Sequence, residues 1–219
     1  MAKLGPLVHR AARRGGALFV LGSLQFIFAM AIVQAKYPGY SLSANYISDL
    51  GSASSPWAWL FNDSIRLLGL FALLGAFWVR TAFPPKTSAR VGLLLLGIAG
   101  LGAIGVGSFP EGSPQLGGNI HGVVSLVTFL GSGFALLALA LGMLRDTRWD
   151  GFRAYTFLSG LVTVIALGLF VGNAFVGLGP GGMERLIVAP ILLWALVAGT
   201  HLLRLPVYSP VSISQPLAV

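Results

Sequence analysis

The chain has no cysteine, which excludes disulfides, thiolate metal ligands, iron–sulfur clusters and a cysteine nucleophile. Charge is scarce too. Only 9% of residues are Asp, Glu, Lys or Arg, against about 25% in soluble domains. Six residues are acidic and three are histidine, so acid/base or metal chemistry has few side chains to draw on. There is no P-loop, no Gly-X-Ser-X-Gly and no dinucleotide fingerprint after a strand, so the nucleotide-binding and classical hydrolase signatures are missing.

What is present is apolar. Of 219 residues, 56% are hydrophobic, and the mean hydropathy is +0.85. A helix needs roughly 20 apolar residues to cross the hydrocarbon core of a bilayer. Six runs qualify: about 15–35, 57–80, 89–109, 119–144, 154–177 and 184–204. The expected fold is all-α, a polytopic membrane bundle of six transmembrane helices. A basic N-terminus (1–14) precedes the six-helix domain (15–204), and an irregular tail (205–219) follows it. The linkers between the last five runs are short, so successive helices pack as antiparallel neighbours. The first run resembles a signal peptide, but it exceeds the roughly 7–15 residues of a usual signal core and reads as an anchor helix. Thirty glycines suit helices that gain little from hydrophobic burial in lipid and rely on close backbone approach.

Orientation follows from the basic residues. Lys3, Arg10, Arg13, Arg14, Arg80, Lys86, Arg90, Arg145, Arg148, Arg153 and Arg204 fall on one side; Lys36, Arg66 and Arg185 fall on the other. The positive-inside rule then predicts both termini in the cytoplasm and a multi-pass protein of the plasma membrane. The net charge of +8 flanks apolar runs instead of forming a stripe, so nucleic acid is not an expected partner. Membrane lipids are, along with a second copy of the chain or the other subunits of a membrane complex. There is no internal repeat to support an inverted-repeat transporter.

The acidic residues sort the other way. Asp49, Asp63, Glu111 and Glu184 lie on the expected outer side. So does the longest connection, residues 36–56, which contains "SANYISDLGS"; long loops in small bundles are often functional. In "FNDSIR", Asp63 and Arg66 share a helix face, either as a structural pair at a helix end or as part of a functional cluster. In "SFPEGSPQLGGNIHG", Asn119 is the expected N-cap of the fourth helix. His121 follows in its first turn with Ser125 on the same face. His121 reads either as a general base or metal ligand within reach of Asp49 or Glu111, or as an interfacial imidazole bonded to loop backbone. Asn173 and Arg185 complete the polar layer. Depth argues against bis-histidine haem: His121 and His201 stand at opposite ends of their helices, roughly a membrane thickness apart at 1.5 Å per residue, and His9, on the side of His201, lies in the basic N-terminus. A divalent metal on Asp49, Glu111 and His121 would have fewer nitrogen ligands than catalytic zinc sites use.

The order of "YPGYSLSANYISDLGS", "LFNDSIRLLG" and "FPEGSPQLGGNIHG" resembles the bacterial and archaeal membrane-protein family catalogued as domain of unknown function 998. The likeness runs from the first helix to the last. It implies that Ser48, Asp49, Leu50, Gly51, Asn62, Pro110, Glu111, Gly112 and His121 occupy the family's motif positions. The family's name states no reaction. A looser likeness is to six-helix proteins of the Frag1/DRAM/Sfk1 type, and a further one is to zinc-dependent membrane hydrolases of the ceramidase and Per1 group. The last group uses several histidines, where this chain has one suitable histidine.

The resulting expectation is an outward-facing polar pocket that binds or modifies a lipid or another amphiphile. His121 would be the acid/base, with Asp49 or Glu111 orienting it, and Arg66 would hold an anionic headgroup. Asn45, Ser48, Asn62, Asp63, Asn173 and Arg185 are the further ligand-binding candidates. The rivals are a non-catalytic scaffold or accessory subunit, and a small-molecule transporter.

Overall fold

Backbone amides within a bilayer have no water to bond, so a spanning segment satisfies them internally as a helix. In the computed structural model, which describes residues 4–204, the six apolar runs are six helices. They are α1 (Leu4–Lys36), α2 (Ala58–Val79), α3 (Thr87–Ser108), α4 (Ile120–Gly142), α5 (Phe152–Val171) and α6 (Gly179–Arg204). All six are long and apolar enough to cross a membrane. The tail expected at 205–219 lies outside the described residues.

The helix ends depart from the apolar runs for local reasons. α1 starts at Leu4 and carries the basic segment on one side, because Ala12, Gly15 and Gly16 are buried on the other. α5 stops at Val171 although apolar residues continue. Asn173 adopts a left-handed conformation (φ 57°), and its amide donates to the Phe170 carbonyl at 3.0 Å, the usual way a helix ends on Asn or Gly. α6 begins early, inside the glycine-rich linker. Pro180 sits in its first turn, where a missing N–H costs nothing.

Each helix packs on its chain neighbour, and α6 returns to α1, closing a ring of six. Glycine pairs set several seams. A Cβ on Gly16 would lie 2.8 Å from the Gly199 carbonyl, and one on Gly69 would lie 2.4 Å from the Gly100 carbonyl. A Cβ on Gly160 would stand 2.9 Å from the Gly133 carbonyl. These approaches let backbone dispersion do the work that water-driven burial does in soluble proteins.

The ring's two ends differ. At the arginine-rich face, Trp149 is fully buried and stacks on Phe83 at 4.6 Å. It also lies 5.0 Å from the His201 ring. His201 stacks on Phe152 at 5.2 Å, and its Nε2–H donates to the Arg148 carbonyl at 3.0 Å, so this histidine is a packing residue. Nearby, Trp194 Nε1–H donates to Thr156 Oγ1 at 3.0 Å. Midway along the ring, Gln25 bridges α1 to α2 by donating to the Ser64 carbonyl at 2.8 Å. A cavity of about 70 Å³ lies on the ring axis between Ser23, Ser132 and Trp194, room for about two waters. The opposite end carries the long connection between α1 and α2 and is called the long-loop face below.

Candidate functional site

The long connection is docked, not loose. Leu50, in a single tight helical turn over Ser48–Gly51, is fully buried beside Phe26 and Phe61. Gly51 follows because Asn62 leaves no space for a side chain: a Cβ there would lie 2.3 Å from Asn62 Oδ1. Asn62 Nδ2 donates to the Gly51 carbonyl at 2.9 Å. Asp49 Oδ2 accepts from the Tyr46 amide at 2.9 Å and from Asn45 Nδ2 at 3.1 Å. Asn45 Oδ1 in turn accepts from the Ser41 amide at 3.0 Å. Asp49, Asn45 and Asn62 therefore shape the loop.

The first turn of α6 clamps this loop from outside. Its free Gly181 amide donates to the Ser43 carbonyl at 2.9 Å, satisfying a donor that no helix can pair internally. Arg185 donates to the carbonyls of Leu42 at 2.9 Å and Asn45 at 3.1 Å, and to the Tyr40 hydroxyl at 2.6 Å. Its guanidinium also lies over the Tyr40 ring. Burial pushes the Tyr40 hydroxyl above its ordinary value against the opposing pull of Arg185. Glu184, buried on the next face of the helix, accepts from the Ile47 amide, with the Ser48 amide beside it.

Beyond the docked loop, between α4 and α5, opens a cleft of about 470 Å³. Its loop-side wall carries Ser48, Glu111, His121, Ser125 and Glu184, and the wall below is Leu126, Phe129, Leu167, Phe170 and Val171. Among the described residues no Lys or Arg lines it. Leu126 and Val171 are exposed on the bundle's outer surface, so the apolar half opens sideways toward the surrounding lipid.

His121 is the pivot. Its Nδ1 lies 2.8 Å from the Phe109 carbonyl. A carbonyl only accepts, so Nδ1 carries a proton and Nε2 faces the cleft. There Nε2 stands 3.3 Å from Glu111 Oε2 and 3.4 Å from Ser125 Oγ. Glu111 meets the same nitrogen that serine approaches, unlike a serine–histidine–carboxylate relay, in which the carboxylate holds the other nitrogen. The arrangement gives one imidazole a fixed tautomer, a lone pair aimed into a cleft, and a carboxylate to stabilise the imidazolium.

A family model described as "Protein of unknown function (DUF998)" matches residues 20–201. The chain belongs to the DUF998 family. No curated protein and no solved structure matches it. Of the residues that the resemblance to this family marks, Asp49, Leu50, Gly51 and Asn62 build and seat the loop, whereas Ser48, Glu111 and His121 line the cleft and Pro110 and Gly112 do not.

The remaining sequence candidates are dispersed. Arg66 donates to Asp63 at 2.6 Å as a surface pair, and neither lines the cleft. Asn173 is exposed and ends α5. Asn119 stands at the N-cap of α4, but its side chain makes no capping hydrogen bond. Asp49, Glu111 and His121 do not assemble into one ligand set: among the described residues no three His, Asp or Glu groups gather as a metal site would need. Glu184, placed on the outer side by sequence but not among the site candidates, lines the cleft together with Tyr46 and Ser125.

Proposed function

We propose that this DUF998 protein takes up an amphiphile from the lipid phase through the cleft between α4 and α5. The polar head lies against Glu111, His121, Ser125 and Glu184, and the apolar part runs along Leu126, Phe129 and Leu167. A cleft that is polar beside the docked loop, apolar below and open toward the lipid-facing surface carries this reading. Two carboxylates without a lining Lys or Arg favour a neutral or cationic head over the anionic head that Arg66 would have suited. The arginine distribution supports a plasma-membrane protein with both termini in the cytoplasm and the cleft outside.

As an enzyme, the protein would hydrolyse the bound amphiphile at an ester or amide carbonyl. Water adds to the carbonyl carbon as its proton passes to His121 Nε2, with Glu111 facing the imidazolium. That proton then leaves with the departing alcohol or amine. A scaffold is the second reading, favoured by the hydrogen bonds that already occupy Asp49, Asn62 and Arg185.

Gly122 separates the two. It lines the cleft, and a Cβ there would meet nothing within 4 Å. Gly122→Trp therefore fills the cleft without straining the helix. Mass spectrometry of amphiphiles retained by the purified protein should show their loss in this variant. His121→Gln should keep them bound and stop their turnover. Equal retention by Gly122→Trp and the parent would sink the amphiphile reading and leave the scaffold.

A further inference from the structure

A second, larger groove lies at the other end of the ring, on its outer surface between α2 and α3. We propose that it binds one anionic phospholipid, with an acyl chain along the helices and the phosphodiester between Arg80 and Arg90.

The groove holds about 890 Å³. Leu73, Phe77, Leu94, Ile98 and Leu101 line its length. Leu94 is 64% exposed and Phe77 53%, so these walls meet whatever surrounds the bundle. An apolar groove alone would take any acyl chain. The mouth is what discriminates. Arg80, one residue past α2, and Arg90, in the first turn of α3, stand there with Thr81 of the connection between the two helices. Among the described residues no Asp or Glu lines the groove, and neither arginine has an ion pair.

Two neighbouring charged groups of this face are engaged elsewhere. Lys86 donates to the Leu144 carbonyl, and Asp146 is held by Arg148 at 2.6 Å. Arg80 is also placed, with its guanidinium 4.0 Å from the Phe77 ring centroid, at the boundary between the apolar wall and the polar rim. Arginine's planar fork suits a phosphodiester, and basic pockets between membrane helices recognise anionic headgroups. Another apolar helix seated there would have to bury both guanidinium groups without a counter-charge, which is unfavourable. A phosphodiester supplies that charge.

The test uses the full chain in nonionic detergent, with phosphatidylglycerol and phosphatidylcholine of matched acyl chains as probes. Native mass spectrometry should show one retained phosphatidylglycerol, and that lipid alone should raise the melting temperature. Arg80→Gln/Arg90→Gln should weaken its binding roughly thirtyfold, following from about 1 kcal/mol per basic residue. Leu94→Trp, which narrows the groove and leaves both arginines intact, should weaken it too. Gly122→Trp, in the cleft at the far end, should not, so failure here and failure of the amphiphile reading are told apart. Equal binding of the two lipids overturns the proposal, as does undiminished phosphatidylglycerol binding in both groove variants. A dimer that Leu94→Trp disrupts and that retains no lipid overturns it in favour of a second copy.

Discussion

Gly181→Ala puts one methyl group where the loop and α6 touch. The added Cβ would stand 1.9 Å from the Asn45 carbonyl oxygen and 2.8 Å from that of Leu42. Both are backbone atoms, so no side chain can rotate away. A carbon–oxygen contact needs about 3.3 Å, so the loop must retreat by about 1.4 Å. That shift stretches the Gly181 amide bond to the Ser43 carbonyl, now 2.9 Å, and the Arg185 bonds to Leu42 and Asn45. Three hydrogen bonds at roughly 1 kcal/mol each, less up to about 1 kcal/mol of helix propensity gained by alanine, leave a loss of about 2–3 kcal/mol. In detergent, the variant should melt several degrees lower, and amide exchange should quicken over residues 41–51 before the helices respond. The matched control is Gly122→Ala, also in a first helical turn, where the methyl meets nothing and the protein should melt no lower than the parent. If Gly181→Ala melts like Gly122→Ala and residues 41–51 keep their protection, the docked loop described above is wrong.

Two further outcomes test the arginine-rich face. Trp149→Ala empties a fully buried site against Phe83 and His201 and should cost about 3–5 kcal/mol, read as a lower melting temperature with an unchanged helical circular dichroism spectrum. The Arg148 hydrogen bonds hold the Asp146 carboxyl below its ordinary value of 3.8. A depressed folded-state value contributes stability above the unfolded value, and that contribution is lost as pH falls through the folded one. Asp146→Asn should therefore be less stable than the parent at neutral pH, with the gap closing below about pH 3.8 in acid-dependent melts.

The helices were legible because bilayer length and apolar composition are written directly into a run of residues. Their ends were not. α1 runs through Arg10, Arg13 and Arg14 because arginine tolerates a helix whose opposite side, at Ala12 and Gly16, is packed. α5 ends inside an apolar stretch because Asn173 turns the backbone, which hydropathy does not register. In the site, Glu111 and His121 were predicted to share a level of the bundle, and the fold sets them 3.3 Å apart. Glu184 was placed on the outer side with the other acidic residues, but nothing in the sequence says which way its side chain turns. Successive helical residues point about 100° apart, so Glu184 turns inward to the Ile47 amide while Arg185 reaches over the loop. Asp49 was placed with His121 from topology alone. The direction of its carboxylate is set by the turn from Asn45 to Asp49, and spacing along the chain carries no record of that turn.

The loop's dependence on α6 also fixes an order of assembly. Ile47 and its acceptor Glu184 are 137 residues apart, so at synthesis rates of about 5–20 residues per second the loop waits about 7–27 s for its clamp. The seam between α1 and α6, where Gly16 meets Gly199, waits longer still. Hence the wall of the cleft formed by Ser48 cannot be set until the last helix has entered the bundle. A chain halted before α6 leaves residues 37–57 without the anchors that α6 supplies, a difference that a nascent-chain protease or chaperone can read from the loop.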